Sequence, residues 1–174
     1  MSAKMNIELV KAAKGAVIRV LRDDGSTAES FLPAKGPVPH DAVHYFVERE
    51  LGCDNAFWGL VAAGHHPEAI ADLAKASGHA SAKRADIPAA DFVAAIQVER
   101  IVEAFEADHW SGGSGDPAGI VAMARSGCEQ SNVAPVDLGP AQVERIRRGI
   151  ADFAAGWAEL PQGGSMPLAW GSGI

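Results

Sequence analysis

Two histidines with helical spacing are the residues of this sequence whose types and positions could do chemistry. His40 and His44 lie four positions apart, just after Pro39, where a helical pattern begins. Residues four apart lie on the same face of a helix, so both imidazoles could donate a nitrogen to one metal ion. The spacing therefore predicts part of a metal site at the start of this helix.

The segment from His40 to His44 resembles the zincin motif His-Glu-x-x-His of zinc-dependent proteases over these five residues. In that motif the two histidines bind zinc and the glutamate is the general base. Here Asp41 takes the place of the base with a side chain one methylene shorter, and Val47 and Leu51 continue the face where a metzincin would supply further ligands. The resemblance implies a zinc-dependent hydrolase in which Asp41 is the catalytic base or orients a ligand.

A metal centre of this kind needs a third protein ligand, and a later helical segment offers one. Glu99, Glu103 and Glu106 recur at intervals of four and three and continue an apolar stripe. We expect Glu99 or Glu103 to complete the set, with Glu48, one turn after the second histidine, as a local alternative. Two histidines and one carboxylate suit catalytic zinc, the cofactor we predict, and also non-haem iron.

A different interpretation gives the same residues structural roles. His40 could cap the helix, and His44 could be a half-buried, hydrogen-bonded side chain beside Val43 and Val47. The glutamates would then form a solvated helix edge. On this interpretation the chain is a non-catalytic α+β interaction or assembly protein of unknown role. Tyr45 and Arg49 are expected on the exposed side of the helix in either case.

The other histidines form a second, weaker candidate cluster. His65 and His66 precede Pro67, at the entry to a further helical segment. We interpret them as a cap and a turn, because polar residues before a helix commonly accept a hydrogen bond from its first N–H groups. If they met the first pair in space, they would strengthen the metal hypothesis.

Composition and charge exclude some classes of partner. The net charge of −7 and the lack of a Lys/Arg cluster argue against nucleic acid and anionic membranes as partners. The start of the sequence has no apolar signal-peptide core, and Cys53 and Cys128 form no Cys-x-x-Cys pair, so we expect a cytoplasmic protein with reduced thiols. A homo-oligomer and an unidentified small-molecule ligand remain open.

The patterns along the chain predict an α+β fold in one domain covering residues 1–174. Alternating residues over 5–32, with Asp24-Gly25 as a hairpin turn, predict an antiparallel β-meander. Residues 40–160 have helical periods and predict about five to six helices. Pro167 would confine a possible returning strand at 165–170 to an edge of the sheet.

Several signals mark the limits of these helices. Gly52 is a typical residue at the end of the first, and Pro67 and Gly78 bound a helix that is followed by a loop at 80–88. The longest pattern runs over about residues 89–110, and the next helices begin at Asp116-Pro117 and at Pro140.

Overall fold

The computed structural model describes residues 3–70 and 89–171. Within these residues the order is three strands, then five helices and a further helical segment at residues 67–70, and last a fourth strand. The strands and the five helices are β1 (Met5–Ala12), β2 (Gly15–Arg22), β3 (Thr27–Pro33), α1 (His40–Leu51), α2 (Phe57–Ala62), α3 (Ala89–Trp110), α4 (Pro117–Gln130), α5 (Pro140–Glu159) and β4 (Ser165–Trp170). The predicted α+β class is confirmed.

The four strands form one antiparallel sheet in the order β3-β2-β1-β4. The predicted meander is confirmed, and the returning strand pairs with β1 at an edge of the sheet. Pro167 lies opposite Glu8 in this pairing. A proline has no N–H to donate, and an edge strand tolerates this because one of its sides is unpaired.

The two faces of the sheet differ as the alternation along β1 and β2 requires. Ile7, Leu9 and Ile18 are buried with the helices in the core. On the opposite face Arg19 pairs with Glu29 at 2.8 Å and with Glu8 at 3.7 Å, across three neighbouring strands. This alternation places the helices on one face and leaves charged side chains on the other.

Helix α1 packs against three other helices, α2, α3 and α5, and contacts β4 of the sheet. The Tyr45 hydroxyl donates a 2.8 Å hydrogen bond to the Ala169 carbonyl of β4, and Phe46 packs edge-on against Phe153 of α5. Arg49 is exposed as expected, but the expectation for Tyr45 was wrong, since it is only 3% exposed. Its side chain fills the space between the helix and β4.

The predicted helix from Pro67 to Gly78 falls partly outside the described residues. Residues 67–70 are helical, while the rest of that helix and the predicted loop at 80–88 lie outside the described residues. Cys53 and Cys128 are free thiols. Over residues 3–70 and 89–171, no helix combines the length and the apolar character needed to cross a bilayer.

Candidate metal centre

The first two turns of α1 bring the two histidines together. Pro39 precedes the helix with an extended backbone, and His40 and His44 then project from the same face, as the four-residue spacing predicts. Their Nε2 atoms lie 3.1 Å apart and their ring centroids 4.7 Å apart. Both rings therefore present Nε2 to one point beside the helix.

Helix α3 supplies a carboxylate at this point. Glu99 Oε1 lies 3.2 Å from His40 Nε2, and Glu99 Oε2 lies 2.9 Å from His44 Nε2. The three side chains form a group that could hold a metal ion. Atoms bound to one ion at about 2.0–2.2 Å are about 3–3.5 Å apart at octahedral or tetrahedral angles, so these separations suit a shared ion.

The other nitrogen of each imidazole contacts a separate carboxylate. His40 Nδ1 lies 2.9 Å from Glu106 Oε1, and His44 Nδ1 lies 3.0 Å from Glu48 Oε2. Metal-binding histidines commonly donate their second N–H to a carboxylate, which fixes the ring and its tautomer. The arrangement around both rings is therefore the one expected of metal ligands.

Glu48 is buried completely and is held in place by α2. The Trp58 backbone N–H donates a 2.8 Å hydrogen bond to Glu48 Oε1, and the Gly59 N–H also interacts with this carboxylate. The Trp58 indole Nε1–H donates to the Asp41 carbonyl oxygen at 2.8 Å. Both contacts tie the start of α2 to α1, so the carboxylate behind His44 has a fixed position.

The carboxylates determine the charge of the two rings. Burial opposes the charged form of His40, but hydrogen bonds to Glu106 and Glu99 outweigh it and raise the pKa to about 9. Burial likewise opposes the charge on His44, and Glu48 and Glu99 raise its pKa well above the ordinary value. Although burial would raise the pKa of Glu99, its hydrogen bonds to both histidines lower it below the usual range.

Asp41, the residue at the position of the zincin base, is 6% exposed and lies beside this group. Burial raises the pKa of its carboxyl, while the charges of His44 and His40 act in the opposite direction. Among the residues that the structure describes, none donates a hydrogen bond to this carboxylate. Asp41 is thus a buried acid next to the two histidines.

The structure separates the two glutamates that the sequence left as alternatives. Glu99 lies at the histidines, whereas Glu103 forms a 2.6 Å ion pair with Arg100 on a more exposed part of α3. Glu48, the local alternative, contacts Nδ1 of His44 and not the Nε2 atoms that converge.

The second histidine cluster does not join the first in any contact of the described residues. His66 Nδ1 accepts a 3.2 Å hydrogen bond from the backbone N–H of Glu68, as the cap predicted for this position should. The His65 carbonyl accepts a hydrogen bond from the buried Arg22 side chain. Both residues therefore have local structural contacts.

Glu48 and Glu106 stand out in the sequence by their helical spacing, but their contacts with the Nδ1 atoms of the two histidines were not predicted. The spacing from His44 to Glu48 is itself a signal, because a side chain four residues later on a helix can contact the ring. The hydrogen bond from the Trp58 N–H to Glu48 has no such signal in the sequence, because it depends on how α2 packs on α1.

Comparison with models of protein families, with curated proteins and with solved structures found no match. The site itself must therefore support any functional conclusion. Its chemical content is two imidazole nitrogens and one carboxylate that converge, two further carboxylates behind the rings, and a buried aspartic acid beside them.

Proposed function

We propose that this protein binds one divalent transition-metal ion, with zinc as the leading candidate, through His40, His44 and Glu99. The observation that carries the proposal is the convergence of both Nε2 atoms on the Glu99 carboxylate, with separations of 2.9–3.2 Å. The carboxylates on both Nδ1 atoms support it, because protonated Nδ1 atoms leave Nε2 free to bind.

We further propose that the site is hydrolytic. A zinc ion with three protein ligands keeps an open position at which it can polarise water or a carbonyl group. Asp41 would accept a proton beside it or orient one of the ligands. Its burial favours the first role, since a raised pKa makes a carboxylate a better proton acceptor than an exposed one. The side chains of His40 and Glu99 are 26% and 27% exposed, which gives solvent access to the site.

A second candidate function is that of a non-catalytic interaction or assembly protein, in which these residues are structural. The observation in its favour is that Glu99 can accept hydrogen bonds from both rings when they are protonated, as a His40 pKa of about 9 implies near neutral pH. The two candidates differ in what occupies the space between the Nε2 atoms and Glu99: protons in one case, a metal ion in the other. A homo-oligomer remains a prediction under both.

The proposal is tested by metal uptake. Metal-free protein is dialysed against Zn(II), and bound metal is measured by elemental analysis for the parent and for three variants: His40→Ala/His44→Ala, Asp41→Asn and Glu103→Gln. We expect near-stoichiometric zinc in the parent, its loss in the double variant, and parental uptake in the other two. Equal uptake by the double variant and the parent would contradict the proposal, and no uptake by the folded parent would favour the second candidate.

A further inference from the structure

Glu48 has both of its carboxylate oxygens committed to hydrogen bonds. Oε1 accepts from the Trp58 backbone N–H at 2.8 Å, and Oε2 lies 3.0 Å from His44 Nδ1. The side chain is 0% exposed, so solvent cannot replace either partner. Because the Trp58 N–H can only donate, the group that faces it must be an acceptor.

We infer that Glu48 is a positioning residue, which accepts the Nδ1 proton of His44 when Nε2 binds the metal ion and so holds the ring in the orientation that binding needs. A neutral imidazole has one protonated nitrogen and one with a free lone pair, and the partner of one nitrogen sets the role of the other. An ionised carboxylate can only accept, so Glu48 favours the Nδ1–H form, whereas without an ion Glu99, 2.9 Å from Nε2, favours a proton on Nε2. This inference rests on the proposed function for its consequence in metal binding.

Glu106 contacts His40 in the same way, but its side chain is less tightly held. Its Oε1 lies 2.9 Å from His40 Nδ1, and its side chain is 14% exposed. The described residues provide no other hydrogen bond to this carboxylate. The two glutamates therefore contact equivalent ring nitrogens while differing in whether their second oxygen is fixed.

Because of this difference, Glu48→Gln and Glu106→Gln, which both preserve the size of the side chain, should affect their histidines differently. In Glu48→Gln the amide oxygen must face the Trp58 N–H, since the opposite orientation would bring two N–H groups together. The NH₂ group then faces His44 Nδ1, which must become the acceptor, and the proton moves to Nε2. In Glu106→Gln the amide can rotate and keep its oxygen on His40 Nδ1. Both substitutions remove one negative charge, so they are matched in charge.

The first test compares zinc affinities by competition with a chromogenic chelator for the parent, Glu48→Gln and Glu106→Gln. We expect Glu48→Gln to weaken binding by about 10–100-fold, the usual cost of losing a partner behind a metal ligand, and Glu106→Gln to weaken it much less. Equal losses in the two variants, or parental affinity in Glu48→Gln, would overturn the inference.

The second test needs no metal. Ring ¹⁵N shifts of metal-free Glu99→Ala protein, in which that carboxylate no longer faces Nε2, report which nitrogen of the neutral His44 ring carries the proton. We expect Nδ1–H in Glu99→Ala and in Glu99→Ala/Glu106→Gln, and Nε2–H in Glu99→Ala/Glu48→Gln. A Glu99→Ala protein with the proton on Nε2 overturns the inference, whereas a parent that takes up no zinc overturns the proposed function.

Discussion

The Nε2 atoms of His40 and His44 lie 3.1 Å apart, and the two oxygens of Glu99 face them. Without an ion, this arrangement is stable when both rings are protonated and donate to the carboxylate. A metal ion would take the place of the two Nε2 protons. Protons and a metal ion would therefore compete for the same two nitrogens.

The competition predicts a pH dependence of zinc affinity. Because binding must release the proton from His40, whose pKa is about 9, affinity should increase as the pH rises from neutral towards that value. Chelator competition at a series of pH values measures it, and proton release can be confirmed by calorimetry in buffers with different ionisation enthalpies. An affinity that stays constant over this range would contradict the prediction.

The same pKa predicts how the stability of the metal-free protein depends on pH. The folded pKa of His40 is raised above its unfolded value of about 6.5, so the folded state holds more protons between the two values. The stabilisation from this residue is complete below pH 6.5 and is lost as the pH rises through about 9. The free energy of unfolding, measured with urea, should fall less steeply between these two pH values in His40→Ala than in the parent.

Glu99→Gln should weaken zinc binding far more than Glu103→Gln. Both residues lie on α3 one turn apart, but only Glu99 contacts the histidines, whereas Glu103 pairs with Arg100. We expect a loss larger than the roughly 10–100-fold cost of removing a partner behind a ligand, because Glu99 would itself bind the ion. Parental affinity in Glu99→Gln would show that the carboxylate is not a ligand.

Zinc should stabilise the folded chain, because the three ligands come from two helices that separate on unfolding. At a free concentration of 100 times Kd the gain is about 2.7 kcal/mol, and this corresponds to a rise in Tm of about 5–10 °C for a chain of this size. Differential scanning calorimetry with zinc, and again after a chelator is added, measures the shift. His40→Ala/His44→Ala should show no such shift.

Gly59→Ala should destabilise the protein and weaken the support of Glu48. A Cβ at position 59 would overlap the Asp54 carbonyl, so the start of α2 would have to move. We expect a loss of about 1–3 kcal/mol in the free energy of unfolding, measured with urea. Gly119→Ala is the matched control: a Cβ there meets no atom within 4 Å, and the change should stabilise α4 by about 0.8–1.0 kcal/mol.

Most of the fold could be predicted because its signals are local. The alternation in β1 and β2 and the turn at Asp24-Gly25 reflect a half-buried sheet, and Pro167 can be accommodated only where no partner needs its N–H. Tyr45 was misplaced because helical periodicity describes one buried face. In the structure α1 is covered by β4 as well as by three helices, and the Tyr45 hydroxyl donates to a β4 carbonyl.

Only the features of the site that follow from the geometry of a single helix could be predicted from the sequence. The spacing of His40 and His44 is independent of the rest of the fold, so their shared face followed from sequence. The choice between Glu99 and Glu103 depends on the rotation of α3 against α1, where a difference of about 40° around the helix axis separates the two side chains. The hydrogen bond from Trp58 to Glu48 depends on a contact between helices, for which periodicity gives no signal.

Anomalous diffraction from crystals grown with zinc, recorded on both sides of the zinc absorption edge, would locate a bound ion directly. We expect one strong anomalous peak at about 2.0–2.2 Å from Nε2 of His40, Nε2 of His44 and an oxygen of Glu99. A map with no peak at this position, with the three side chains still in direct contact, would contradict this expectation.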